Sequence, residues 1–115
     1  MNKIEQVLDK LIDNTNSDSA IIVNSEGLAI ASVNAGSEDR IAVMIASLHS
    51  MGEKFSLDLR KGDVEQFYIK TSDGYILLKD INENAIIGLI AKDSSKLGLL
   101  MMYLDSATNE ISALM

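Results

Sequence analysis

The sequence predicts a single α+β domain in the order helix, two strands, helix, three strands, helix, with a five-stranded antiparallel sheet covered by helices on both faces. Three segments have the apolar spacing of amphipathic helices, and short apolar runs separated by brief turns lie between them. Turns this short join antiparallel strands, because a parallel crossover needs about a dozen residues. The 115 residues are enough for one core, so we expect one domain over residues 1–115.

The first helix is predicted over residues 3–12 and is followed by a hairpin. Its apolar residues recur at three- and four-residue spacing: Ile4, Val7, Leu8, Leu11 and Ile12. The polar run Asp13–Ser19 favours a turn and ends the helix. Strands are predicted at residues 20–23 and 28–33, on either side of a turn that contains Gly27.

The second helix is predicted over residues 37–57, with Ser37 as its N-cap and acidic residues in its first turn. Its large apolar side chains form one arc, which we interpret as the stripe that faces the core: Ile41, Met44, Ile45, Leu48, Met51, Gly52 and Phe55. The remaining surface has small or weakly polar residues, and residues 41–48 carry no charge. A charge-free exposed face favours contact with a second helix over a solvated alanine-rich surface.

Three strands are predicted at residues 64–71, 75–81 and 85–91, before a final helix at residues 96–115 capped within Asp93–Ser95. The runs SAIIV, YILL and AIIGLIA are apolar on both faces, so helices should cover both sides of the sheet. Strand 64–71 has mixed polarity and is predicted at the edge, where unpaired backbone groups invite another chain. The predicted dimer or partner interface consists of Ala42, Val43, Ala46, Ser47, His49, Ser50, Val64, Gln66, Tyr68 and Lys70.

Composition excludes several classes of function. The net charge of -7 and pI near 4.5 disfavour nucleic acid and anionic membranes as partners. No apolar run approaches the roughly 18 residues that a membrane span needs, and the N-terminal segment does not resemble a signal peptide. Cysteine is absent, which excludes disulfides and thiolate metal sites. We therefore expect a cytoplasmic protein without membrane insertion.

No arrangement of residues in the sequence is typical of a catalytic or cofactor site. There is no GxxxxGK(S/T) phosphate-binding loop, and the single histidine, His49, lies within a predicted helix at spacings unsuited to a catalytic triad. We interpret His49 as an interface or half-buried polar residue. The two arginines, Arg40 and Arg60, are interpreted as surface ion-pair residues rather than catalytic fingers. The expectation is a protein with no enzymatic activity, no cofactor and no metal.

Three stretches follow one another along the chain: SAIIVNSEGLAIAS, IASLHSMGEKF and DGYILLKDINENAIIGLIAKDSSKLGLL. They resemble the roadblock / dynein light chain family in its prokaryotic branch, that of the MglB-type small-GTPase regulators, and the resemblance extends in order over essentially the whole chain. The resemblance implies the roadblock fold, which is profilin-like. It also implies a homodimer whose edge strands join into one sheet beneath paired central helices. Members of the family are noncatalytic platforms for small Ras-like GTPases, dynein intermediate chains or other roadblock domains.

The sequence is therefore interpreted as a noncatalytic homodimeric platform that binds and regulates, or scaffolds, a small Ras-like GTPase. The alternatives are a small-molecule sensor domain of PAS or GAF type, or a dimerisation scaffold unrelated to GTPases. Sensor domains enclose a ligand cavity, whereas this chain has only 4% aromatic residues with which to line one.

Overall fold

A computed structural model describes residues 2–115, which form three helices and five strands in the predicted order. The elements are α1 (Lys3–Thr15), β1 (Ser17–Asn24), β2 (Ala29–Val33), α2 (Glu38–Asp58), β3 (Phe67–Thr71), β4 (Gly74–Asn82), β5 (Ala85–Lys92) and α3 (Leu97–Leu114). All strand pairs are antiparallel and form one sheet in the order β2-β1-β5-β4-β3. The predicted α+β class, the five-stranded sheet and the edge position of β3 are confirmed.

Helices cover both faces of the sheet, as the apolar strands predicted. On one face α1 and α3 enclose the larger core, which includes Leu8, Leu77, Leu104 and Ile111. On the other face α2 encloses a smaller core with Ile21, Leu78 and Ile86. Adjacent residues such as Leu77 and Leu78 belong to different cores because successive side chains of a strand point to opposite faces.

Three element boundaries differ from the prediction by three residues. Strand β1 begins at Ser17, within the run Asp13–Ser19 that was predicted to be a turn. Helix α1 continues to Thr15, whose hydroxyl donates to the carbonyl oxygen of Leu11 and accepts a hydrogen bond from the Ser17 hydroxyl. Strand β3 begins at Phe67, three residues later than predicted. The chain before it passes through left-handed backbone at Gly62, so Val64 and Gln66 precede the strand rather than forming part of it.

The predicted helix caps are not formed. Ser37 occupies the N-cap position of α2, but its side chain makes no capping hydrogen bond. The N-cap of α3 is Lys96, and the Ser95 hydroxyl donates instead to the carbonyl oxygen of Thr15 at 2.9 Å. Ser95 therefore ties the start of α3 to the end of α1 rather than capping its own helix.

The orientation of α2 corrects the predicted core stripe. Ala42 and Ile45 are buried against the sheet, whereas Met44, Met51 and Phe55 are 58%, 67% and 66% exposed. At 100° per residue, the buried side lies about a quarter-turn from the centre of the predicted arc. The prediction was wrong for those three residues because the sheet receives the side of α2 that carries small residues.

Glycines at the contact let α2 approach the sheet closely. A Cβ at Gly88 on β5 would lie 2.7 Å from Cδ1 of Ile45, and one at Gly52 would lie 2.8 Å from the ring of Phe67. Contacts this short require the neighbour to move. The small residues of α2 therefore allow a close approach to the sheet, not only to another helix.

None of the helices in residues 2–115 is long and apolar enough to cross a membrane.

Candidate interaction surface

A continuous apolar groove runs along the exposed side of α2. One part, of about 460 Å³, lies between α2 and the sheet, and the other, of about 510 Å³, lies toward the C-terminal end of α2. The two parts share Leu48 and Met51. We call their combined lining the α2 groove: Ile41, Val43, Met44, Ile45, Ser47, Leu48, Met51, Gly52, Lys54, Phe55, Asp58, Phe67, Ile76, Leu78, Gly88 and Ile90.

The position of α2 on the sheet creates this groove. The backbone of the helix lies closest to β1 and β2. The apolar residues of β4 and β5 on the same face, among them Ile76 and Ile90, are consequently only partly covered. An exposed apolar helix surface beside a partly covered apolar sheet is the arrangement expected of a protein interaction site.

The open edge of β3 is a second feature of this side of the molecule. Thr71 and Gly74 close a two-residue turn, so their backbones are hydrogen-bonded to each other. In an antiparallel pair every second residue is hydrogen-bonded to its partner in this way, so the N–H and C=O groups of Ile69 and Phe67 also point toward β4. The backbone N–H and C=O groups of the intervening residues, Tyr68 and Lys70, therefore point away from β4. These groups are available to a strand from another chain.

The predicted interface residues fall into four groups in the structure. Val43 and Ser47 are exposed and line the α2 groove. Ala42 is fully buried between α2 and the sheet, so its side chain is not on a contact surface. Ala46, His49 and Ser50 lie on the opposite flank of α2, beside the β4–β5 turn. Tyr68 and Lys70 are on β3, and Val64 and Gln66 precede that strand. The Lys70 ammonium lies 4.8 Å from the centre of the Tyr75 ring on β4.

Sequence reasoning missed the most exposed groove residues, Met44, Met51 and Phe55, because it assigned them to the core. Their exposure could have been predicted from how far the apolar residues extend around the circumference of the helix. Between Ile41 and Leu48 every residue except Ser47 is apolar, which is more than one sheet contact can bury.

A hydrogen bond between His49 and Asp80 links the polar flank of α2 to strand β4. The Nε2 atom of His49 lies 2.6 Å from Oδ1 of Asp80 on β4 and 4.0 Å from Oε1 of Glu53, one helical turn further on. The His49 side chain is 22% exposed, which agrees with its interpretation as half-buried. The ion pairs found within residues 2–115 involve His49, Lys79 and Lys92, so the predicted ion pairs of Arg40 and Arg60 are not formed.

Comparison with known families decides what kind of domain this is. The family model of the Roadblock/LC7 domain matches residues 3–91, which is well over half of the chain. The chain belongs to the Roadblock/LC7 family. The family that the sequence resembles is therefore confirmed.

This Roadblock/LC7 domain is similar in sequence to one archaeal protein and similar in structure to MglB. It is 26% identical over 113 residues to the Methanocaldococcus jannaschii protein named "Uncharacterized protein MJ0310", covering 96% of this chain and 98% of that protein. Myxococcus xanthus MglB superposes with a TM-score of 0.92 at 15% identity, over 99% of this chain and 95% of MglB. A structure described as MglB with tetrameric arrangement gives 0.87 at 15% identity, over 98% and 90%. At these identities the structural likeness establishes the roadblock fold.

Proposed function

We propose that this Roadblock/LC7 domain is a noncatalytic, cytoplasmic homodimeric platform that binds and regulates, or scaffolds, a small Ras-like GTPase. The observation that carries the proposal is the α2 groove, whose large side chains are exposed in the single chain. Monomeric soluble proteins rarely expose a contiguous apolar patch of this kind. A second copy of the chain is the occupant that fits it.

A two-fold axis beside β3 would use both exposed features at once. Each β3 would pair with its counterpart through the outward backbone groups of Tyr68 and Lys70, and each α2 would lie against the groove of the other copy. Such an interface is self-complementary, because the same patch occurs on both partners. The groove contains few charges, with Lys54 and Asp58 at one end, so the net charge of -7 is kept largely outside the contact.

The GTPase part of the proposal is supported by family membership. This chain belongs to the Roadblock/LC7 family, and its sequence resembles the branch of small-GTPase regulators to which MglB belongs. MglB also has the same fold as this chain. The sequence contains no phosphate-binding loop, which supports a role in binding a nucleotide-bearing partner rather than nucleotide itself. The flank of α2 that carries Ala46 and Ser50 lies opposite the groove and is the surface we assign to that partner.

The two alternative functions receive different support. A PAS- or GAF-type sensor would hold its ligand in an enclosed chamber, whereas the α2 groove is an open surface groove that includes the most exposed apolar side chains of the helix. A dimerisation scaffold unrelated to GTPases would use the same groove, so only a binding experiment separates it from the proposal.

The decisive experiment combines mass measurement with capture of the GTPase. Size-exclusion chromatography with light scattering should give about twice 12.5 kDa at micromolar concentration. A tagged chain incubated with lysate of its source cells, with a non-hydrolysable GTP analogue or with GDP, should enrich a Ras-like GTPase in one nucleotide state. A monomer at high concentration would refute the dimer, and a dimer that captures no GTPase would favour the unrelated scaffold.

Pairing of the β3 edges has its own test, for which the strand offers a matched control. Replacing Tyr68 with proline removes an outward N–H without breaking the bonds to β4, so the monomer should stay folded while the dimer weakens. Two lost hydrogen bonds, at about 0.5–1.5 kcal/mol each, correspond to roughly a 5- to 150-fold rise in the dimer Kd. Ile69→Pro removes an inward N–H and should instead destabilise the monomer. Equal dimer affinity in Tyr68→Pro and the unmodified chain would exclude edge pairing.

A further inference from the structure

We propose that His49, Glu53 and Asp80 form a binding site for one divalent transition-metal ion, with Zn²⁺ as the expected occupant. The site lies on the flank of α2 that we assign to the GTPase, but it does not depend on that assignment. Its three potential ligand atoms come from two elements that are distant in sequence: α2 supplies His49 and Glu53, and β4 supplies Asp80.

The three ligand atoms already lie together. His49 Nε2, a Glu53 carboxylate oxygen and an Asp80 carboxylate oxygen are all within 4.8 Å of one another. The separation of four residues on α2 places His49 and Glu53 on the same side of the helix. Asp80 faces them because β4 alternates: Lys79 forms an ion pair with Asp105 of α3 on the far side of the sheet, and Asp80 points to the α2 side.

The distances fit a small tetrahedral ion after modest side-chain movement. Zinc bonds of about 2.0–2.2 Å to nitrogen and oxygen place neighbouring ligand atoms roughly 3.3–3.5 Å apart. The Nε2–Oδ1 distance of 2.6 Å would have to lengthen and the Nε2–Oε1 distance of 4.0 Å to shorten. Both carboxylates are partly exposed, so rotation about their side-chain bonds can supply these changes without moving the backbone.

The surroundings supply the remaining requirements of a metal site. A cavity of about 90 Å³ adjoins His49 and Asp80 and is also lined by polar residues, among them Ser50, Asn82 and Glu83. It has room for water to complete the coordination, since one water occupies about 30 Å³. Two carboxylates and a neutral imidazole give the ligands a combined charge of −2, which matches a divalent cation.

The ligand set selects among metals. One imidazole nitrogen with two carboxylates suits zinc and the neighbouring transition metals, whereas Mg²⁺ and Ca²⁺ prefer sites made of oxygen alone. Binding requires a lone pair on Nε2, so a neutral ring that donates from Nε2 to Asp80 has to carry its proton on Nδ1 instead, and a doubly protonated ring has to release one proton to solvent. Metal affinity should therefore fall when the pH is lowered.

An ion at this site would fix α2 to β4. The C-terminal half of the helix contains the highly exposed Met51 and Phe55, and its hold on the sheet there includes the contact of Gly52 with Phe67. A metal bridge at His49 would stabilise this half and hold the groove residues in place. The consequence for stability is testable without any partner.

The chain has one histidine, so its ring can be observed directly in the unmodified, tag-free protein. Titration with Zn²⁺ alone, followed by the ¹⁵N signals of the His49 ring, should show saturation at one ion per chain and a selective change at Nε2. Equal concentrations of Mg²⁺ or Ca²⁺ should leave the ring unchanged. No change at Nε2 with millimolar Zn²⁺ would overturn the proposal, whatever happens to any variant.

Variants separate a built site from a general attraction of cations to an acidic protein. Asp80→Asn and Glu53→Gln should each lower Zn²⁺ affinity at least tenfold, measured by competition with a chromophoric chelator. Asp105→Asn removes the same charge on the opposite face of the sheet and should leave the affinity within about twofold. Equal losses in all three variants would mean that net charge alone attracts the ion, which would refute the site.

Discussion

Met51→Glu is the substitution that most directly tests whether a second copy occupies the α2 groove. Met51 belongs to both parts of the groove and is 67% exposed, so glutamate should change the folded monomer little. In a symmetric dimer, by contrast, the substitution removes two apolar side chains from the interface and places two carboxylates there.

The size of the effect follows from the exposed fraction. Full burial of a methionine is worth about 1.5–3 kcal/mol, and two-thirds of that remains available to a partner, or about 1–2 kcal/mol per copy. Two copies give about 2–4 kcal/mol, which raises the dimer Kd roughly 30- to 1,000-fold. Desolvation of the carboxylates adds to this loss, so the estimate is a lower bound.

The assay is sedimentation equilibrium over a range of concentrations, with circular dichroism to confirm that the variant is folded. Met102→Glu is the matched control, because Met102 is 56% exposed but lies on α3, which packs on the opposite face of the sheet. It should leave the dimer Kd within about threefold. If Met51→Glu and Met102→Glu dimerise equally well, the groove is not the dimer interface and the reasoning from exposure fails.

Two further predictions concern the core and catalysis. Gly88→Ala should lower the free energy of unfolding in urea by about 1–3 kcal/mol, because its Cβ would lie 2.7 Å from Cδ1 of Ile45. Ile45→Val removes that Cδ1 atom, so the double variant should lose less free energy of unfolding than the sum of the two single variants. Strict additivity of the two losses would contradict the close contact. If the captured GTPase is stimulated, Arg40→Ala and Arg60→Ala should each change turnover by less than about tenfold, since a true arginine finger contributes roughly 10³–10⁵; a thousandfold loss with binding intact would make that arginine catalytic.

The element order could be predicted from the sequence because local signals agree with one another. Helical periodicity in α1, turn residues between the strands and strands apolar on both faces all lead to the same layered fold. In α3, Leu100, Leu104, Ala107 and Ile111 are buried, and they have the three- and four-residue spacing of one helix face. The start of β3 was predicted three residues too early, because residues 64–66 continue the irregular segment that follows the left-handed backbone of Gly62.

The candidate site was less predictable because apolar periodicity does not state which neighbour buries a residue. Met44 and Met51 have the same hydrophobicity whether they face a sheet or a second chain. The contact of α2 with the sheet depends on Ala42 and on room made by Gly88, which lies more than forty positions away in the sequence. Such a pairing of two small surfaces has no local signature, so the predicted core stripe was centred on the larger residues instead.

The two neighbours of α2 explain why residues 41–48 of this helix carry no charge. A helix on the surface of a domain needs an apolar stripe of roughly 100°, and its other sides are normally polar. Between Ile41 and Leu48 the apolar residues extend around nearly the whole circumference, interrupted by Ser47. One part of that circumference, at Ala42 and Ile45, is covered by the sheet, and the part at Val43 and Met44 is exposed. The excess over a single stripe is the sequence property that corresponds to a second neighbour, and the α2 groove is where that neighbour would lie.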